Sequence, residues 1–152
     1  MRALICGILA GLALPAVASA HTEAGRQLSF TWPVAGTVTS PFGRDGHRWH
    51  PGLDIGILRS LTVRAASPGR VFRTGYSAGY EGYGNVVVLN LGDGYSALYA
   101  HLAQPLVRAG QQLVRGQRIA IAGCTGWCTG THLHFELRYH NRAVNPTLLF
   151  AR

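Results

Sequence analysis

With 152 residues, the chain is long enough for one hydrophobic core and hardly for two. Its apolar share of 47% is ordinary for a packed domain, while 20 glycines point to many turns and short strands rather than long helices. The formal charge of +8 rests on 14 basic residues, all of them arginine, and implies attraction to anionic partners.

The first segment reads as an export signal. Met1-Arg2 supplies a positive start, and Ala3 to Leu14 is an apolar run too short to span a bilayer comfortably. Pro15 breaks the run, and Ala18-Ser19-Ala20 has the small-x-small form of a cleavage site. Residues 1–20 are therefore expected to be removed, with Cys6 lost among them. Export argues against nucleic acid as the anionic partner. It favours wall polymers and peptide stems that bear free carboxylates. No stable membrane insertion is expected after cleavage, and the mature chain is taken as a monomer, periplasmic or secreted.

Residues 21–29 form a polar lead-in, and 30–152 form the domain. Phe30-Thr31-Trp32 and Thr37-Val38-Thr39 are short strand candidates separated by Pro33 and Gly36. A loop follows from Ser40 to Trp49. Leu53-Asp54-Ile55-Gly56 reads as a strand, followed by Thr62 to Ala65 and Gly69 to Arg73. Gly75 to Gly84 is a glycine- and tyrosine-rich loop. Asn85 to Leu91 and Tyr95 to Leu102 form a hairpin about the Gly92-Asp93-Gly94 turn. Val107 to Gly116 is turn-rich, Arg118 to Ala122 is a strand, and Gly123 to Thr131 is a loop. His132 to Tyr139 is the clearest strand of all. No stretch past the leader carries a convincing 3.6-residue period. The expected fold class is all-β: a compact antiparallel β-sandwich or open barrel.

Two short strings carry candidate chemistry. In His50-Pro51-Gly52-Leu53-Asp54, an extended backbone places His50, Gly52 and Asp54 on one face, with a hollow at Gly52 where an ion could sit. Asp54 lies between Leu53 and Ile55, and a carboxylate in such a strand needs a partner. In the strand from His132 to Tyr139, His132, His134, Glu136 and Arg138 share one face, while Leu133, Phe135, Leu137 and Tyr139 share the other. Two imidazoles and a carboxylate are good zinc ligands, and three protein ligands plus a water make a catalytic site. The residues alone do not say which histidine of the HxH string binds metal. Tyr99-Ala100-His101-Leu102 places Tyr99 and His101 on one side of the returning strand. Cys124 and Cys128, an even pair in an exported chain, read as a disulfide that pins the loop entering the last long strand; a second zinc site or free thiols are the rival readings.

Taken in order, Gly36-Thr37-Val38-Thr39-Ser40-Pro41-Phe42-Gly43, His50-x-Gly-x-Asp54, Gly82-Tyr83-Gly84-Asn85, Tyr99-Ala-His101-Leu102, Gly116-Gln117, Thr125-Gly126 and His132-Leu-His134-Phe-Glu136 resemble the lysostaphin-type zinc metallopeptidases. The likeness runs from about Phe30 to Phe150. It implies a β-sandwich with a long substrate groove, zinc held by His50, Asp54 and His134, and His101 and His132 acting beside the metal as catalytic acid and base. It also implies a peptidoglycan endopeptidase that cuts stem-peptide cross-links. The alternative is a catalytically idle wall-binding or regulatory module that activates other wall hydrolases. Glu136 is expected to be a surface carboxylate or a helper to the site. The chain departs from the pattern in its short 44–49 loop and in the cysteines at 124 and 128.

Overall fold

A computed structural model describes residues 30–46 and 48–150, so the expected leader (1–20) and lead-in (21–29) lie outside the described residues. Described residues form thirteen strands and two short 3₁₀ turns, with no helix long and apolar enough to cross a membrane.

In chain order, β1 spans Thr37–Ser40, β2 Gly43–Asp45, β3 Arg48–His50, β4 Leu53–Gly56, β5 Thr62–Arg64, β6 Gly69–Tyr76 and β7 Asn85–Gly92. β8 follows at Tyr95–Ala100, β9 at Leu102–Pro105, β10 at Gln112–Leu113, β11 at Arg118–Ala122, β12 at Leu133–Tyr139 and β13 at Arg142–Val144. The main sheet runs β1-β4-β12-β8-β7-β6-β10, and β13 pairs with the far end of β12. A smaller sheet, β5-β11-β9, packs across it, and every pairing is antiparallel.

Alternation along the strands decides which face is which. In β7, Val87 and Leu89 join the main core, whereas Val86 and Val88 face the other side with Leu98 and Ala100. The core between the sheets holds Leu133, Phe135 and Leu137 of β12 with Val63, Leu102, Ile119 and Ala122 of the small sheet. Tyr99 sits fully buried there, and its hydroxyl accepts the Ala66 N–H at 2.8 Å, tying the layers together. The all-β class and its antiparallel sheets are therefore as expected, and the sheets do not close into a barrel.

Several local expectations change. Phe30 to Trp32 forms no strand. Instead Thr31 N–H bonds to the Ala66 carbonyl, and Trp32 stacks on Phe150 at 4.3 Å. The 44–49 loop is mostly a hairpin of β2 and β3. The two-residue turn His140-Asn141, both residues at positive φ, creates β13, which composition did not reveal.

Tyr99→Phe leaves the buried Ala66 N–H without an acceptor. It should cost about 1–3 kcal/mol in urea unfolding, with no change in the unfolding slope.

Candidate metal centre

The sheet register assembles the site. Asp54 of β4 lies directly opposite His134 of β12, and His134 in turn faces Ala100 of β8. His134 thus stands on the face away from the core, and the alternation expected for β12 puts it there. His50 closes β3, and Pro51-Gly52 leads the chain from it into β4. The hollow expected at Gly52 is not there. A Cβ at Gly52 would lie 2.5 Å from the Phe135 carbonyl oxygen and 3.0 Å from His134 Cε1, so glycine lets this segment lie against β12.

Three ligand atoms converge. His134 Nδ1 is 2.7 Å from Asp54 Oδ1, His50 Nε2 is 3.2 Å from the same oxygen, and the two ring nitrogens are 3.1 Å apart. The far side of each ring is tied off. The Pro41 carbonyl accepts from His50 Nδ1 at 2.8 Å, and the Glu136 carboxylate accepts from His134 Nε2 at 3.0 Å. A carbonyl or an ionised carboxylate can only accept, so these outer nitrogens carry the protons. The inner nitrogens of the neutral rings then point bare lone pairs at a carboxylate. Only a positive charge reconciles three such acceptors: extra protons or a metal cation. This donor set fits a metal, and carboxylate or carbonyl partners on the outer nitrogens are typical of metal-binding histidines.

The ionisation pattern agrees. Burial pushes the Asp54 carboxyl up, but His134 and His50, which can donate to it once they carry those extra protons, outweigh burial and hold it well below the ordinary range. The hydrogen bond to Asp54 raises His50. His134 is lowered by burial yet raised overall by Asp54 and Glu136.

Glu136 is not a surface residue. It is fully buried, two positions beyond His134 on the same face. Its Oε1 accepts from His134 and from the Tyr83 hydroxyl at 2.6 Å, and its Oε2 accepts from Arg138 Nε at 2.6 Å. Burial raises its carboxyl, but these three donors bring it below its ordinary value. Tyr83, pushed up to about 12 by burial and by Glu136, stays protonated as a donor. Tyr83 and Arg138 were not assigned site roles from the sequence. The signal was present in the period-2 spacing of His134, Glu136 and Arg138 and in the Gly82-Tyr83-Gly84 string.

His101 and His132 stand next to each other beside the three convergent side chains, with ring centroids 4.7 Å apart and His132 Nε2 3.7 Å from Asp54 Oδ1. Tyr99 and His101 do not share a face. Tyr99 points into the core, and His101 reaches the site because its backbone turns left-handed, with φ 58°, between β8 and β9. Such a conformation is uncommon for a residue other than glycine. The Tyr83 carbonyl secures it by accepting the His101 N–H at 2.9 Å. His132 precedes β12 and bridges to Gly123 instead of lying within the strand. His101 Nδ1 donates to the Thr125 carbonyl at 2.8 Å, and His132 Nδ1 donates to that of Gly130 at 2.7 Å. Each therefore turns Nε2 toward the cleft. Burial lowers His101, which keeps its ring neutral near neutral pH. The Cys124–Cys128 disulfide is formed in the loop before β12.

These residues floor a cleft of about 350 Å³ rimmed by Arg48 and the exposed rings of Trp49 and Trp127. A second depression continues it past Tyr83, Gly82 and Glu81, so the whole forms a groove across the five histidine and aspartate side chains.

The model of peptidase family M23 matches residues 48–146. The chain belongs to peptidase family M23. It is 40% identical over 116 residues to an uncharacterized metalloprotease of Haemophilus influenzae, covering 72% of this chain and 24% of that one. It is 37% identical over 118 residues to murein hydrolase activator NlpD of Escherichia coli, covering 78% of this chain and 30% of NlpD. Among solved structures, a zinc containing peptidase from Vibrio cholerae superposes with a TM-score of 0.66 at 32% identity, over 82% of this chain and 40% of the other. The chain thus spans about a quarter to a third of the length of these two curated relatives. The M23 match bears out the lysostaphin-type resemblance of the sequence.

Two outcomes follow from this geometry. Gly52→Ala forces β4 away from β12 and should cost about 1–3 kcal/mol by denaturant unfolding, with weaker metal retention. In chelator-treated protein, the raised His50 and His134 contribute stability that is full below their unfolded value of 6.5 and is lost as pH rises through their folded values. Melting temperature should therefore fall as pH rises above about 6.5, and Asp54→Asn should flatten that dependence.

Proposed function

We propose that the chain is a zinc-dependent endopeptidase that hydrolyses peptide cross-links of bacterial peptidoglycan. The observation that carries the reading is the convergence of His50 Nε2, Asp54 Oδ1 and His134 Nδ1, with each imidazole's other nitrogen tied to an acceptor. His50, Asp54 and His134 are the ligands in this reading. When bound, zinc supplies a Lewis acid for the scissile carbonyl and lowers the pKa of a water to about 7. Zinc is favoured over other ions by the two-imidazole, one-carboxylate donor set and by the zinc containing relative.

The chain's own residues do the rest. Glu136, held by Tyr83 and Arg138, fixes the tautomer and plane of His134. His101 and His132 present their Nε2 atoms to the reacting centre. A proton taken from the attacking water resides on this pair and is returned to the departing amine, which makes them the catalytic acid and base. The groove admits an extended peptide, and Arg48 on its rim suits a stem that carries free carboxylates. In this reading residues 1–20 are an export signal, and the mature chain acts in the periplasm or outside the cell, as a monomer without a stable membrane insertion.

A second reading is a murein-binding activator without turnover, favoured by the printed name of the NlpD relative. Against it stand all five site positions, none of which is lost from this chain.

The experiment is mass spectrometry of muropeptides released from purified wall sacs, with and without a chelator. Chelator-sensitive release of cross-link fragments is expected; intact cross-links despite full zinc loading would assign the activator reading. Asp54→Ala should lose zinc as measured by metal analysis. His101→Ala and His132→Ala should each keep about one zinc per chain yet lose at least about 100-fold in kcat.

A further inference from the structure

The two histidines outside the proposed ligand set are held very differently. His101 donates to the Thr125 carbonyl, and Thr125 is fastened on its own account: its hydroxyl accepts the Asn85 N–H at 2.9 Å and donates to the Leu102 carbonyl at 2.9 Å. The neighbouring Trp127 N–H bonds to the Gly82 carbonyl at 2.9 Å. His132 donates to the Gly130 carbonyl instead, and Gly130 lies in a stretch with no such support. Among the described residues, none of Cys128 to Thr131 makes a backbone–backbone hydrogen bond. Apart from the next residue's bridge to Gly123, the fixed point of this stretch is the bond from Cys128 to Cys124. The Cys128 sulfur also lies 3.0 Å from the Gly130 oxygen and 3.7 Å from His132 Nδ1, so it packs against both partners of the hydrogen bond that sets the ring.

We infer that the Cys124–Cys128 disulfide is a positioning element for His132: it holds the Gly130 carbonyl that aims the ring, so turnover depends on the bond while metal binding does not. His50, Asp54 and His134 stand on or beside the strands β3, β4 and β12, whose ladders do not involve this loop. The inference builds on the metallopeptidase reading of the site. It also gives this chain a redox dependence located at one catalytic side chain. A dithiol reductant opens the bond by supplying two electrons and two protons, leaving two cysteine thiols and a cyclic disulfide of the reductant.

The test compares the exported protein in three forms: oxidised, reduced with dithiothreitol that is then removed under anaerobic conditions, and Cys124→Ser/Cys128→Ser. For each, zinc per chain, kcat and KM on a purified cross-linked muropeptide, and the NMR signals of the histidine ring N–H protons are measured. Freeing a reacting group by about an ångström costs on the order of 100-fold, so kcat should fall about 10- to 100-fold with little change in KM. Zinc content should be unchanged. The His132 ring N–H signal should be lost to solvent exchange while that of His101 persists, and reoxidation with glutathione disulfide should restore both kcat and the signal. Unchanged kcat and an unchanged His132 signal would overturn the inference. So would loss of zinc on reduction, or loss of the His101 and His132 signals together, since either would make the bond a general brace. If the oxidised, zinc-loaded protein cuts nothing, the endopeptidase reading fails by itself. The NMR comparison then decides the positioning role: selective loss at His132 supports it, and retention overturns it.

Discussion

The whole site depends on one line of strand register, the pairing of β4 with β12 that sets Asp54 opposite His134. A slip by one residue would turn Asp54 toward Leu133 or Phe135 and scatter the donor atoms. The register is guarded on both faces. On the core side, Leu53, Ile55, Leu133 and Phe135 are fully or almost fully buried and would be exposed by any slip. On the site side, Gly52 lies so close to the β12 backbone that only a residue without Cβ fits. Packing and chemistry thus specify the same alignment.

Behind the convergent donors lies a chain of buried polar contacts. Arg138 and Tyr83 serve Glu136, Glu136 serves His134, and His134 meets Asp54. A carboxylate with no solvent exposure is costly unless every strong acceptor position is used, and here three donors answer it. This network fixes the imidazole plane before any ligand arrives, so little reorganisation remains for metal binding. The same economy of motion appears at His101, whose left-handed backbone is secured by the Tyr83 carbonyl. Tyr83 therefore supports both sides of the groove, through its hydroxyl and through its main chain.

Much of this was legible in the sequence, because the relevant periods are short and local. Strand alternation placed His134 and Glu136 on the face opposite Phe135, and the small spacings of HxGxD and HxH kept candidate ligands together. The hairpin about Asp93-Gly94 was legible for the same reason, as both residues adopt the positive φ such a turn needs. What escaped was non-local or depended on a single backbone torsion. Nothing in Tyr99-Ala100-His101 announces that the chain reverses its handedness at the histidine and sends the two rings to opposite sides. The hollow at Gly52 was the wrong inference from a right observation: the missing side chain admits a neighbouring strand. Of the two readings of Glu136, helper and surface carboxylate, the surface one fails because one of its partners, Tyr83, lies more than fifty residues earlier in the chain. Phe30 to Trp32 has strand composition but finds its contacts with Phe150 at the other end of the chain.

The claim at the centre is that strand register delivers two imidazoles and one carboxylate to a single ion. X-ray absorption at the zinc edge of the metal-loaded protein addresses it directly. The account predicts a shell of nitrogen and oxygen scatterers at about 2.0–2.2 Å, with the outer-shell pattern of two imidazole rings and no sulfur. A sulfur scatterer near ~2.3 Å, or a pattern requiring one or three imidazoles, would contradict it.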